Sequence, residues 1–175
     1  MHGTDAESST ADALRRLLRT HNLDAWLYTK RIDIDEQAYP HSHPVLTLNA
    51  SHLSDEHLLA AFLHEQLHWY EETYAVRRDA AIETTRQLYP EVPACRPKGA
   101  GDETSTRLHL LVCLLEYRVL HLLLGHETAA RIIDELGRHH YFWVYRTVRQ
   151  DAERIEAILR AHNLLPLALA DLGKE

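Results

Sequence analysis

Apolar positions recur at helical spacing over most of the chain and break in only a few places. Between residues 10 and 20 they fall at Leu14, Leu17 and Leu18, which predicts a short amphipathic helix capped by Ser9 or Thr10. The polar residues 1–9 before it read as a disordered tail. Three strand-like pieces follow, at 25–29, at 31–35 with Ile32 and Ile34 alternating, and at 45–49, with a loop over 39–44. Ser54, Asp55 and Glu56 then open a long helix: a serine cap, and two acids in the first turn where the helix dipole favours them. It is expected to run to about Arg78, with a continuation to Leu88 left open. Residues 90–102 hold three prolines and two glycines and form the one long loop.

Thr104 or Ser105 starts the most apolar helix, which stops at Gly125. A short helix over 127–136 stops at Gly137, and a last one over about 138–161 carries Tyr141, Tyr145, Val148, Ala152, Ile155 and Leu159 at helical spacing. The pattern therefore predicts an α+β fold that is mainly helical. A small antiparallel or mixed sheet of about three strands precedes four or five packed helices, in a single domain over 10–175.

Composition narrows the classes. The chain has 175 residues, is 45% hydrophobic and carries a formal charge of -7. That charge lacks the basic footprint of a nucleic-acid binder, and it gives no reason to expect a membrane-surface partner. The longest apolar stretch, 108–124, contains His109, Glu116, Arg118 and His121, which argues against a membrane span. The N-terminus has neither a basic segment nor an apolar one, so no signal peptide is read there and the expected location is cytoplasmic. Cys95 in the long loop and Cys113 in an apolar helix are too few for a disulfide scaffold.

Candidate chemistry comes from 64–68, which read His-Glu-Gln-Leu-His. Residues i and i+4 stack on one helix face, so both imidazoles can reach one ion, and the glutamate between them stands beside it. The chain holds 14 histidines, which makes a chance occurrence of the pattern conceivable. The motif nevertheless lies inside a helix among Leu58, Leu59, Ala61, Phe62, Leu63 and Leu67, where polar groups are costly unless paired. The expected cofactor is one Zn2+ per chain.

Catalytic zinc sites normally take three protein ligands. Glu72 lies about 12 Å of helical rise beyond His64 and is too far to share an ion. Glu116 is better: it interrupts the apolar run from Leu110 to Leu115, where a carboxylate should be buried and therefore paired or metal-bound. His109, seven residues earlier on the same face, is an alternative ligand or a group that orients Glu116.

An H-E-x-x-H pair followed after 47 residues by a glutamate on another helix resembles the gluzincin group of zinc metallopeptidases. The strand at 45–49 likewise resembles the strand that precedes the zincin active-site helix and lines its substrate cleft. The resemblance covers roughly 45–120. It implies that His64 and His68 are zinc ligands, Glu65 the general base and Glu116 the third ligand. Where gluzincins often carry an acid shortly after that glutamate, this chain has Tyr117-Arg118-Val119-Leu120.

The expected function is hydrolysis of a peptide or small amide bond by zinc-activated water, with Glu65 taking the proton. Tyr141, Tyr145, His140 and Arg146 are candidates to stabilise the oxyanion, and Tyr145 is the choice among them. The alternative is a non-catalytic zinc protein with the same site, used for binding or regulation. A di-iron bundle needs a second E-x-x-H helix, and the chain has none. Substrate identity, oligomeric state and the role of the 90–102 loop, as lid or connector, stay open.

Overall fold

A computed structural model describes residues 3–52 and 54–170. Its contacts divide the chain into two compact units, Met1–Tyr70 and Glu71–Glu175.

The first unit begins with helix α1, Asp5–Thr20. It starts five residues earlier than the apolar stripe alone suggests, and most of the expected tail is helical. The reason is a capping box. The Thr4 hydroxyl accepts from the Glu7 amide, and the Glu7 carboxylate returns to the Thr4 amide. Glu7 also accepts from the amides of Gly3 and Glu36, so this buried carboxylate ties the helix start to a distant loop.

The sheet has two strands, β1 (Ile32–Ile34) and β2 (Leu46–Leu48), and they run parallel. The expected third strand at 25–29 is absent. Asp24–Trp26 forms a 3-10 turn, and the amides of Tyr28 and Thr29 donate to the side-chain oxygen of Gln66 instead of to a ladder. Antiparallel pairing survives as one isolated bridge, from His41 in the loop that joins the strands to Thr47 of β2. Trp26, Ile34, Leu46, Leu48, Leu59, Phe62 and Leu63 are all buried in this unit.

Helix α2, Asp55–Thr73, follows with Ser54 at its start, the serine hydroxyl accepting from the His57 amide. Tyr74, at φ -115 and ψ 37, breaks the long helix expected here, and α3 runs from Ala75 to Leu88.

The second unit is built around α4, Glu103–Leu124, with Asp102 as its side-chain cap and Gly125 at its end. Gly125 has φ +83, a left-handed value that a residue with a Cβ rarely adopts. All of α4 from His109 to Leu120 except Arg118 is buried, because α3, α5 (His126–Leu136) and α6 (Phe142–Ala161) pack around it. A helix apolar on every side needs neighbours on every side. Its Arg118 reaches outward to Glu153 and Glu156.

The proline-rich loop is fastened to α4. The buried Arg107 guanidinium donates to the carbonyls of Tyr89 and Pro90, and the Thr106 hydroxyl donates to that of Pro93 while accepting from the Ala100 amide. At Gly99 a Cβ would lie 1.9 Å from the Pro93 carbonyl oxygen, so only glycine fits. The loop is a pinned connector in this conformation.

Helix α6 starts at Phe142, four residues later than expected, and bends at Asp151, whose φ of -118 and ψ of 24 are not helical. Asp151 accepts the Tyr89 hydroxyl at 3.1 Å. Burial first, and then this carboxylate, push the Tyr89 phenol up to about 12 from its ordinary 10. The fold thus favours the protonated phenol. That stabilisation is full below pH 10 and is lost as pH climbs from 10 through about 12. Urea midpoints of wild type and Tyr89→Phe should diverge below pH 10 and draw together above it. A constant gap across the alkaline range would show that Tyr89 stabilises by packing alone.

Candidate metal centre

The motif sits where helical geometry puts it. His64 and Glu65 are buried and His68 is half-buried on α2, and the His64 and His68 ring centroids are 5.0 Å apart with the planes at 71°. One turn of helix accounts for that spacing.

What fixes the rotation of this face is Gln66, a residue that the motif leaves unspecified. It lies two positions from each histidine, about 200° around the helix. Its side chain is completely buried and makes three hydrogen bonds to one short segment. Its oxygen accepts from the Tyr28 and Thr29 amides at 2.8 and 2.9 Å, and its nitrogen donates to the Thr29 carbonyl at 2.8 Å. The sequence held a signal for it. Gln66 continues the apolar row of Leu59, Phe62 and Leu63, and a buried amide in such a row must find partners. One residue past His68, the Trp69 indole N–H donates to the Ser42 carbonyl, and the His43 ring stacks on the indole at 4.2 Å. These contacts hold the 39–44 loop against α2 within the first unit.

Strand β2, expected to line a substrate cleft, has its outer edge closed at Thr47. The Thr47 amide donates to the His41 carbonyl, and the His41 amide donates to the Thr47 carbonyl.

In the second unit, Glu116 is buried on α4 as expected, and Tyr145 of α6 stands beside it. The Tyr145 hydroxyl donates to Glu116 Oε2 at 3.1 Å. Burial above all, with the neighbouring Cys113 and Glu116, holds the Tyr145 phenol well above its usual range. Its proton is therefore directed at Glu116, inside the helix packing. The sequence offers Tyr145 as an oxyanion donor and, alternatively, as part of an aromatic core stripe; neither reading discloses that its hydroxyl donates to a carboxylate.

His109 is buried two turns before Glu116, with Nδ1 2.7 Å from the Ser105 carbonyl and the Tyr141 ring 4.6 Å from its own. Tyr141 adopts φ 51 and ψ 38, left-handed for a residue with a bulky side chain. His140 lies against both Tyr141 and Tyr145, at ring separations of 5.0 and 5.6 Å.

Elsewhere in this unit, a cavity of about 430 Å³ lies along the bend of α6, lined by Tyr117, His126, Arg149 and Asp151 among others. Two of its three arginines are paired: Arg118 with Glu153 and Glu156, and Arg149 with Asp134 and the Tyr117 hydroxyl; the third, Arg154, lies over the Tyr89 ring. None of the motif residues lines it.

Among the described residues, no helix is long and apolar enough to cross a membrane. Comparison with known protein families, with characterised proteins and with solved structures found no match to this chain.

Proposed function

We propose that this chain is a zinc-dependent hydrolase acting on a peptide or small amide bond, with His64 and His68 as ligands and Glu65 as general base. The observation that carries the reading is the face of α2. Two imidazoles one turn apart and a buried carboxylate between them are held in rotation by the Gln66 anchor on the opposite side. Evolution of a merely solvated stripe gives no reason to bury the glutamate.

The donor chemistry fits zinc. Among the described residues, His64, His68 and His109, and His64, Cys113 and Glu116, are groups of side chains of the kind that could hold a metal ion. Imidazole, carboxylate and thiolate are the donor types that zinc takes. The gluzincin resemblance implies Glu116 as the third protein ligand, and His109 is its rival.

Zinc, when bound, supplies Lewis acidity that polarises a carbonyl and acidifies water. Glu65 accepts the proton of the attacking water and returns it to the nitrogen of the leaving amine, so protons balance over the cycle. Because Thr47 spends both backbone groups on His41, β2 has no pair to offer an added strand there, which favours a compact amide over a long extended peptide.

A closed, non-catalytic zinc site is the second reading. It is favoured by the wholly buried Cys113 in one of the two donor groups, since thiolates are common in structural sites.

The test is the zinc content of tag-free protein, measured by mass spectrometry on wild type and His68→Ala together. About one zinc per chain in wild type and a sharp loss in the variant is the expected outcome. Wild type that stays empty after zinc is supplied would end the proposal.

A further inference from the structure

The cavity along the bend of α6 owes its shape to Asp151. Six successive residues, 149–154, border it. In a straight helix six residues wind through more than a full turn, too wide an arc for one cavity to meet. The non-helical backbone of Asp151 sets the two halves of α6 at an angle, and residues of both halves then border the same space. The volume of about 430 Å³ falls within the range of small-molecule sites, about 300–1,000 Å³.

The carboxylates around this space are committed. Glu153 and Glu156 pair with Arg118, Asp134 pairs with Arg149, and Asp151 accepts the Tyr89 hydroxyl. Arg154 is left over. Among the described residues its guanidinium makes no hydrogen bond and no ion pair; it lies over the Tyr89 ring, 5.6 Å from the centroid. An aromatic ring engages the face of a guanidinium and leaves the N–H groups at its edge for an anion. Because Asp151 also holds the Tyr89 hydroxyl, the residue that bends the helix seats the platform under Arg154.

A neutral donor stands on the same rim. The Gln150 side chain is exposed and makes no hydrogen bond among the described residues, so both N–H groups of its amide are available. Positive charge gathers elsewhere along the lining. The His126 ring is 5.1 Å from that of His121. Burial first, then His126 and Arg118, hold the His121 imidazole below its ordinary range.

We propose that this cavity binds a small metabolite through a carboxylate or phosphate group, with Arg154 as the anion anchor and Gln150 as a second donor. The edge of a guanidinium meets either group with two parallel N–H···O bonds, which a lysine in its place could not do. The inference is independent of zinc, since no residue of the 64–68 motif borders the cavity.

The experiment titrates full-length protein with glycerol 3-phosphate and, separately, with succinate, against sodium chloride at matched ionic strength. Affinity is read by calorimetry and location by the side-chain N–H signals of Gln150 and Arg154 in nitrogen-15 NMR. Saturable shifts of both residues are expected with at least one of the two compounds, and the compound that binds tells phosphate from carboxylate. Arg154 is exposed, so Arg154→Gln leaves the core intact and should weaken binding by about tenfold or more. Arg138→Gln removes the same charge from an exposed position outside the lining and should change affinity by less than about twofold. Equal weakening in the two variants, or shifts that sodium chloride reproduces, would reduce the effect to general charge screening and overturn the proposal. Binding that leaves the Gln150 and Arg154 signals unmoved, or no saturable binding of either compound, would overturn it as well.

Discussion

Glu65→Gln should cut hydrolysis by about 10³-fold while zinc affinity stays within about threefold of wild type. The two readouts separate because the residue does two things in the native helix. In the proposed reaction its carboxylate takes and returns a proton, which an amide cannot do; its shape fills a buried position beside His64, which an amide does nearly as well. The assay is turnover of short peptides and acylated amines by zinc-loaded protein, with zinc content measured on the same samples. Unchanged turnover in the variant would remove Glu65 from the mechanism. Lost turnover together with lost zinc would make Glu65 a structural support of the site and leave the base unidentified.

The second large effect is expected far from any reacting atom. Gln66→Leu should destabilise the protein by about 3 kcal/mol, from three hydrogen bonds each worth about 1 kcal/mol net. The volume barely changes, so the loss is not a cavity effect. What is lost is the pairing of the Tyr28 and Thr29 amides and the Thr29 carbonyl, all of which face a side chain with no exposure to water. Urea unfolding at constant slope measures it. A change below about 1 kcal/mol would mean that water replaces the amide there and that the anchor does not fix the helix. Because Gln66 opposes the two histidines, a weakened anchor should also loosen zinc in proportion to the freedom α2 gains.

These two residues sit side by side in one five-letter motif, yet they differ in how far the sequence discloses them. Glu65 is legible because its placement follows from helical spacing: i, i+1 and i+4 fix a direction for three side chains before anything packs on them. Gln66 is legible only as a polar residue on an apolar row. Its partners are 37 and 38 residues away, and no local pattern points to them.

The same division runs through the fold. Helix α4 could be drawn from sequence to within one or two residues, since a strongly apolar run that stops at a left-handed glycine is a local signal, although its Asp102 cap falls in the stretch that reads as loop. The motif helix, the Ser54 start and the Gly137 stop were equally local. Helix α1 began early because Thr4 and Glu7 form a capping box that the apolar stripe does not contain.

What the sequence by itself determined is thus the helical class, the placing of His64, Glu65 and His68 on one face, and the burial of Glu116, all consequences of spacing and hydrophobicity within one element. Only the tertiary structure decided that β1 and β2 run parallel, that Tyr28 and Thr29 give their amides to Gln66, that the Tyr145 hydroxyl donates to Glu116, and that the His109 ring lies against a left-handed Tyr141. Most of these turn on where a donor meets an acceptor many residues distant. Hydrophobic periodicity fixes which way a side chain faces but carries no information about which polar partner waits there.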